Sequence, residues 1–232
     1  MKYEMIYFDL DNTILDFSKS EEFALKKIFE FLKLDFKENY LEIYKPINEK
    51  WWKLFSDGKF PKHVIVVKRF QEFFETININ LDNYEEISKF YLKALSNAAF
   101  FIKGAEKFLK TLKEKGARMA AITNGVESVQ QSRAKIAKLN RFFEFILTSE
   151  KVGKPKPEPD IFYFAENLSK VPLSKSVYVG DNIETDYEGA KRAKLDFILF
   201  DPENKFQLDI KKVSNYNELY DLLINNSIKN DF

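Results

Sequence analysis

Five short apolar runs of strand length constrain the fold of this chain more than any other feature. They span residues 4–9, 117–124, 143–149, 176–181 and 196–200. Several are apolar at consecutive positions, which suits strands buried on both faces of a parallel sheet. Stretches of helical length and period separate them, for example 104–116 and 159–170. The alternation predicts an α/β fold with an open, doubly wound parallel sheet.

Residues 17–98 interrupt this alternation with helical patterns alone. Ser18 and Glu21 match a capping box at the start of the first pattern. Further helical patterns cover roughly 37–56, 61–77 and 83–98. We therefore predict a catalytic core from residues 1–16 and 99–232 and an inserted helical domain from residues 17–98. At the end of the sequence, residues 226–232 are expected to form a frayed polar tail.

Composition excludes several classes of protein. The 37 Lys and Arg residues nearly balance the 36 Asp and Glu residues, so the chain has no polyanion-binding signature and no nucleic-acid partner is expected. Cysteine is absent, which excludes disulfides and thiol catalysis. The chain has no apolar run long enough to span a membrane, and Asp9 and Asp11 interrupt the early apolar run where a signal sequence would continue. We expect a cytoplasmic protein, without a membrane partner, that is a monomer or a weak homo-oligomer.

Polar residues with catalytic potential follow four of the apolar runs, at the sheet edge where open α/β proteins bind ligands. The first cluster is Asp9-Leu10-Asp11-Asn12-Thr13. Two carboxylates this close repel each other unless a cation neutralises them, and Mg²⁺ prefers oxygen ligands of this kind. One carboxylate could attack a phosphoryl group while the other transfers protons. The alternative is a strand end followed by an Asx turn.

The second and third clusters supply hydrogen-bond donors and a positive charge. Thr123, Asn124 and Gly125 follow one apolar run, where the hydroxyl and amide could bind phosphate oxygens. Lys154 and Lys156 alternate with prolines, which restrict the backbone and would hold an ammonium in place. The alternatives are an ordinary turn for the first group and a solvated loop for the second.

The fourth cluster adds further acids. Asp181 directly follows an apolar run and is a candidate metal ligand. Asp186, five residues later at a predicted helix start, is expected to serve in part as a helix N-cap even within a functional site. An acid pair, a threonine, a lysine and another acid at successive strand ends are hard to explain as four independent turns. Together they predict one metal-dependent phosphoryl-transfer site.

The segments "DLDNT", "TNG", "KPEPDIF" and "GDNIETD" resemble, in order, the four motifs of the haloacid dehalogenase superfamily. The resemblance implies a Rossmann-like core with an inserted α-helical cap of the C1 type. It implies that Asp9 is the nucleophile and Asp11 the general acid and base. Lys156 is preferred over Lys154 because only Lys156 has Phe162 at the motif's spacing.

The same resemblance implies the remaining site roles. Thr123 and Lys156 would bind and neutralise the phosphate, and Asn124 would contact it. Asp9, Asp11 and Asp181 would hold Mg²⁺, with Asp11 giving its backbone carbonyl. Three further residues would support the site: Thr13, Gly125 and Asp186. Asp11 also argues against a haloacid dehalogenase, because the similar dehalogenases lack this acid.

A finer resemblance concerns the pyrimidine 5′-nucleotidase branch of this superfamily. Residues 44–70 are similar to that branch, as are residues 122–133, including Gln131 and Arg133. The similarity suggests substrate contacts from Asn48, Trp52 and Arg69. The alternatives are burial against the core for Trp52 and a surface ion pair for Arg69.

We therefore expect a Mg²⁺-dependent phosphomonoesterase that works through an aspartyl-phosphate. Its expected partner is a small phosphate ester, a nucleoside 5′-monophosphate with pyrimidine before purine. The first alternative is a sugar-phosphate or small-metabolite phosphatase with the same core. The other two are a non-catalytic regulatory homologue and a haloacid dehalogenase.

Overall fold

A computed structural model describes residues 2–224 and contains a six-stranded sheet in which every pairing is parallel. The strand order is β3-β2-β1-β4-β5-β6. The strands are β1 (Met5–Phe8), β2 (Met119–Thr123), β3 (Ile146–Thr148), β4 (Ser176–Gly180), β5 (Asp196–Phe200) and β6 (Lys212–Val213). The predicted α/β fold with a doubly wound parallel sheet is confirmed. The predicted tail, 226–232, lies outside the described residues.

The central strands are buried on both faces, as their consecutive apolar residues predict. Ile6 and Phe8 of β1 pack into one hydrophobic cluster, whereas Met5 and Tyr7 pack into a second cluster on the opposite face of the sheet. Helices supply the other half of each cluster. They are α5 (Ala105–Glu114), α6 (Glu127–Ile136) and α10 (Tyr216–Ile224) on the first side, and α8 (Asp160–Ser169) and α9 (Glu188–Arg192) on the second.

Cα packing divides the described chain into two compact units. The first holds residues 2–17 and 99–224, and the second holds Ser18–Ala98. The sheet belongs to the first unit. The helices between β1 and α5 are α1 (Phe17–Leu32), α2 (Tyr40–Ser56), α3 (Lys62–Thr76) and α4 (Tyr84–Ser96).

The second unit, which we call the helical unit, is held together by aromatic side chains. Phe29 packs against Phe73 and Phe74, and Tyr44 stacks on Phe70 with ring centroids 5.5 Å apart. These rings recur at helical spacing and are almost fully buried. An aromatic core of this kind explains how a region without strands folds compactly.

The capping box expected at Ser18 and Glu21 is wrong. Helix α1 already begins at Phe17, so Ser18 lies within its first turn, and the buried Glu21 carboxylate accepts a hydrogen bond from the Asn48 amide at 2.7 Å. A tertiary contact thus replaces the local one.

Three short features were not expected from the sequence. Strand β6 has only two residues, too few to show a pattern. A further short helix, α7 (Ser149–Val152), follows β3, and a π-helical turn at Ile183–Tyr187 precedes α9. None of the described helices is both long and apolar enough to cross a bilayer.

Candidate active site

The carboxyl edge of the sheet brings three of the four predicted clusters together on adjacent strands. Asp9 follows β1, Thr123 ends β2, and Asp181 follows β4. Strand β1 lies between β2 and β4, and the Asp9 amide donates to the Val179 carbonyl at 2.8 Å. After β3 the chain crosses to β4 on the opposite side of β1, so the strand order reverses at β1. Such a reversal leaves a crevice at the carboxyl edge of the sheet, where open α/β proteins bind ligands.

The fourth cluster places a buried ammonium at the centre of the site. Lys156 Nζ donates to Asp9 Oδ1 at 2.6 Å, to Asp186 Oδ1 at 2.7 Å and to the Tyr178 hydroxyl at 2.7 Å. The Lys156 side chain is only 2% exposed. Lys154 instead is exposed and pairs with Asp160. The structure therefore brings Lys156, and not Lys154, to the predicted nucleophile.

Three carboxylates lie close together here, and two of them, Asp9 and Asp186, contact this lysine. One oxygen each of Asp9, Asp181 and Asp186 lies within 4.8 Å of the others. Gly180 permits this approach, because a Cβ there would lie 2.2 Å from Asp186 Oδ2. Asp186 also accepts a hydrogen bond from the Asn182 backbone amide. The Asn182 side chain in turn accepts from the Thr185 backbone amide, so Asn182 is the N-cap of the following helical turn. The N-cap role expected for Asp186 is therefore wrong.

The electrostatics of these groups fit a divalent cation. Burial raises the pKa of Asp9 to about 7, with Lys156 opposing and Asp186 adding to the rise. Burial and the neighbouring Asp186 and Asp9 carboxylates also raise the pKa of Asp181. Burial disfavours the Lys156 ammonium, but Asp186 and Asp9 outweigh it and raise its pKa above the usual value. When all three carboxylates are ionised, they leave two negative charges beyond the single ammonium, which one divalent ion with oxygen ligands would balance.

The Asp11 carboxylate points to helix α6 and is not one of the three converging carboxylates. Its Oδ1 accepts from Arg133 at 2.5 Å and its Oδ2 from Gln130 at 2.7 Å. Thr13, one of the supporting residues, is fully buried, and its hydroxyl lies 3.4 Å from Asp181 Oδ1. Although Asp9 and Asp11 are only two residues apart, their carboxylates contact different partners.

Thr123, the last residue of β2, and Asn124, which follows it, support the site on the side of β1 opposite β4. Thr123 is buried, and its Oγ1 accepts from the Gly125 amide at 3.0 Å. The Asn124 side chain both donates to the Lys156 carbonyl and accepts from the Lys156 amide, each at 2.9 Å. Asn124 therefore holds the backbone of the central lysine, and its contact with substrate stays a prediction.

The three residues predicted to contact substrate from the helical unit divide into two groups. Arg69 and Asn48 are buried, and Arg69 donates to the Asn48 side chain at 2.7 Å. A surface ion pair for Arg69 is therefore wrong. Trp52 is half-buried and packs edge-on against Phe55, with ring centroids 5.8 Å apart.

Two buried residues of the site, Gln130 and Tyr178, were not predicted from the sequence. Gln130 contacts Asp11, whereas its neighbour Gln131, matched by the nucleotidase resemblance, is exposed and bonds Glu127. The spacing of Gln130 and Arg133, three residues apart on one helix face, was the available signal. Tyr178 lies within a strand and looks like an ordinary core residue.

Comparison with known proteins identifies the family of this chain. The model of the haloacid dehalogenase-like hydrolase family matches residues 6–200. The HAD-hydrolase YfnB of Bacillus subtilis is 29% identical over 88% of this chain and 86% of its own length. A crystal structure of YfnB bound to magnesium superposes with a TM-score of 0.89 at 27% identity, covering 97% of this chain and 100% of YfnB.

Two further relatives carry named activities. The pyrimidine 5′-nucleotidase PynA of Streptococcus pneumoniae is 28% identical over 99% of this chain and 98% of its own length. A glyceraldehyde 3-phosphate phosphatase of Pyrococcus furiosus is 28% identical over 96% of this chain and 89% of its own length. With the family model covering most of the sequence, this chain belongs to the haloacid dehalogenase-like hydrolases.

Proposed function

We propose that this hydrolase is a Mg²⁺-dependent phosphomonoesterase in which Asp9 is the nucleophile. The observation that carries the proposal is the buried Lys156 ammonium, which contacts Asp9 within a group of three converging carboxylates. A phosphoryl group brought to Asp9 would meet this positive charge directly. Phosphoryl transfer depends mainly on such positioning and charge stabilisation.

The residues divide the reaction between them. An Asp9 oxygen forms a bond to phosphorus as the bond from phosphorus to the ester oxygen breaks, and Asp11 gives that oxygen a proton. Asp11 then takes a proton from water as the water oxygen bonds to phosphorus and the aspartyl-phosphate bond breaks. Lys156 and the Thr123 hydroxyl stabilise charge on the phosphoryl oxygens.

The metal-binding residues in this proposal are Asp9, Asp181 and the Asp11 backbone carbonyl, with Asp186 beside them. The net charge of the three converging carboxylates and Lys156 supports this assignment. When bound, Mg²⁺ supplies positive charge to the phosphoryl oxygens.

For the substrate, we propose a nucleoside 5′-monophosphate with a pyrimidine base. The similarity to PynA over nearly the whole chain supports this choice. The helical unit is proposed to act as the cap. Within it, Trp52 is the candidate for stacking on a base because its ring is only half-buried, whereas Asn48 and Arg69 bond to each other in the interior and would act indirectly.

A sugar-phosphate phosphatase is the second candidate. The glyceraldehyde 3-phosphate phosphatase of Pyrococcus furiosus matches over a similar length and at the same identity as PynA. Both candidates use the same core residues, so they differ only in substrate preference.

The test combines a substrate panel with one substitution. Wild-type protein is expected to hydrolyse UMP and dUMP with Mg²⁺, to lose activity in EDTA and to recover it when Mg²⁺ is restored. Asp9→Asn is expected to lose at least about 10³-fold in kcat, while Lys154→Met, at the exposed lysine, serves as the unaffected control. Substantial turnover by Asp9→Asn would refute the nucleophile assignment. A clear preference for glyceraldehyde 3-phosphate over UMP and dUMP would favour the second candidate.

A further inference from the structure

We propose that Gln130, oriented by Arg133, is a positioning residue that aims both the Asp11 carboxylate and the Thr123 hydroxyl at the substrate. The inference rests on the proposed phosphomonoesterase function and deepens it. Gln130 and Arg133 lie three residues apart on α6, and both are buried. They therefore form one rigid face of a helix next to the carboxyl edge of the sheet.

The Gln130 amide is fixed in one orientation by Arg133. Arg133 donates from one guanidinium nitrogen to Gln130 Oε1 at 3.0 Å. Since the amide oxygen faces this donor, the amide nitrogen faces the opposite way, toward Asp11 Oδ2 at 2.7 Å and Thr123 Oγ1 at 3.1 Å. One side chain thus links the proposed proton donor and the proposed phosphate ligand.

The same contacts determine what Thr123 can do. Its hydroxyl oxygen accepts from the Gly125 amide at 3.0 Å and from Gln130 Nε2 at 3.1 Å. A hydroxyl has two acceptor lone pairs and one proton, so with both lone pairs in use the group can form a further bond only as a donor. Gln130 therefore makes Thr123 a donor, which is the form that binds a phosphate oxygen.

Asp11 is constrained in a comparable way. Arg133 holds Oδ1 and Gln130 holds Oδ2, so the plane of the carboxylate is set by two donors on one helix. Proton transfer requires a group held within hydrogen-bond reach of the reacting oxygen. Loss of Gln130 would leave Arg133 as a single point of attachment, about which the carboxylate can turn.

Gly125 leaves the space that Gln130 occupies. A Cβ at Gly125 would lie 2.2 Å from Gln130 Nε2 and 2.8 Å from its Cδ and Cγ. Any larger residue at position 125 would displace the glutamine. Gly125→Ala therefore displaces Gln130 without replacing it and provides a second variant.

The test uses leaving groups that differ in their need for an acid. An alkyl phosphate such as UMP leaves as a basic alkoxide and depends on proton donation, whereas 4-nitrophenyl phosphate leaves as a stable phenolate and depends on it little. We expect Gln130→Met to lower kcat/KM by about 10²-fold for UMP but by less than about tenfold for 4-nitrophenyl phosphate. KM should rise for both substrates because Thr123 is no longer held as a donor.

The matched control is Gln131→Met, the same substitution at the adjacent exposed position, which should leave both substrates unchanged. Gly125→Ala should reproduce the selective loss seen in Gln130→Met, and it carries the test if Gln130→Met does not fold. Asp11→Asn serves as the reference for complete loss of the acid and should show the largest difference between substrates.

Each outcome decides the proposal. Equal losses for UMP and 4-nitrophenyl phosphate in Gln130→Met and Gly125→Ala, or no loss in either variant, would overturn the positioning role of Gln130. If wild-type protein hydrolyses neither ester, or Asp11→Asn shows no dependence on the leaving group, the proposed function itself fails. The two failures are distinguishable because only the second appears without a substitution of Gln130 or Gly125.

Discussion

The protein has two buried charged clusters, one in each unit, and they are built on opposite principles. In the first unit, the Lys156 ammonium contacts Asp9, Asp186 and Tyr178, and the converging carboxylates outnumber the ammonium. In the helical unit, Asn48 bridges the two charges, because it donates to the Glu21 carboxylate and accepts from the Arg69 guanidinium.

The two clusters differ in charge balance and in hydrogen bonding. The Lys156 cluster has an excess of negative charge and an ammonium with several partners. The Glu21–Arg69 cluster has one charge of each sign, yet within residues 2–224 the buried Tyr44 and Tyr91 hydroxyls and Arg69 NH2 have no hydrogen-bond partner of normal geometry. The first cluster is organised to receive positive charge, whereas the second is an interior feature with incompletely satisfied polar atoms.

Removal of the central cation should separate the two clusters most strongly. Lys156→Met leaves the Asp9 and Asp186 carboxylates buried without their ammonium. We expect the free energy of unfolding to fall by about 3–5 kcal/mol in metal-free buffer, as measured by chemical denaturation. Lys154→Met, which breaks only an exposed pair, is the control and should show no measurable change. A loss equal to that of the control would show that the carboxylates do not depend on Lys156.

The equivalent substitution in the helical unit should cost less. Arg69→Met removes the donor to Asn48 and a guanidinium that lies 4.8 Å from the Tyr91 ring. One carboxylate, Glu21, loses the cation that lowers its pKa most, while the smaller influence of Lys45 remains. Burial raises the pKa of Glu21 to about 7, so this group can become neutral near physiological pH.

We expect Arg69→Met to lower the free energy of unfolding by about 3 kcal/mol at pH 8 and by less at pH 6. Denaturation at the two pH values measures the difference, and Lys68→Met, at an exposed neighbour on α3, is the control. An equal loss at both pH values would contradict the protonation of Glu21.

The two clusters also show why the residues around Lys156 were predictable from the sequence and the contacts of Glu21 were not. Asp9, Thr123 and Asp181 lie at strand ends, and parallel strands must bring their carboxyl ends to one edge. Local patterns were therefore enough to find them. Glu21 matched a local capping pattern, but its partner Asn48 lies 27 residues away, so the local pattern predicted the wrong contact.

Gln130 and Tyr178 show the same limit within the core. The Tyr178 hydroxyl contacts Lys156, but its position inside β4 gives it the pattern of a core aromatic residue. Gln130 lies on a helix face whose orientation depends on the packing of α6 and not on the order of its residues. Residues that act through long-range side-chain contacts need the three-dimensional fold to be recognised.

The pH dependence of stability tests the Glu21–Arg69 cluster directly. The folded pKa of Glu21, about 7, lies above its ordinary value of 4.5, so the folded state binds more protons between these values. Its stabilising contribution is present below pH 4.5 and is lost as the pH rises through 7. Relative to Glu21→Gln, which cannot titrate but keeps the acceptor for Asn48, wild-type protein should lose on the order of 2–3 kcal/mol across this range. If the free energies of unfolding of wild-type protein and Glu21→Gln changed in parallel with pH, the proposed titration of Glu21 would be ruled out.

The smallest expected effect compares two buried tyrosine hydroxyls. The Tyr178 hydroxyl accepts from Lys156 Nζ at 2.7 Å and has two acceptors for its proton at 3.2 Å, the Ile122 carbonyl oxygen and Asp186 Oδ1. Tyr178→Phe removes a hydrogen bond to a charged group, which should cost about 1–2 kcal/mol of unfolding free energy. Tyr91→Phe removes a hydroxyl that has no partner of normal geometry among the described residues. The neighbouring Tyr44 hydroxyl interacts with it outside normal hydrogen-bond geometry, so the desolvation cost of the Tyr91 hydroxyl is poorly offset and Tyr91→Phe should be neutral or stabilising.

Both substitutions keep the aromatic ring and remove only the hydroxyl. Comparing the free energies of unfolding of Tyr178→Phe and Tyr91→Phe therefore shows how much each cluster depends on its tyrosine hydroxyl. A loss for Tyr91→Phe as large as that for Tyr178→Phe would mean that the Tyr91 hydroxyl has a partner of comparable strength. The helical cluster would then be fully bonded, and its contrast with the Lys156 cluster would reduce to charge alone. A neutral or stabilising result would instead separate the two clusters by hydrogen bonding, because only the Lys156 cluster would then depend on its tyrosine hydroxyl.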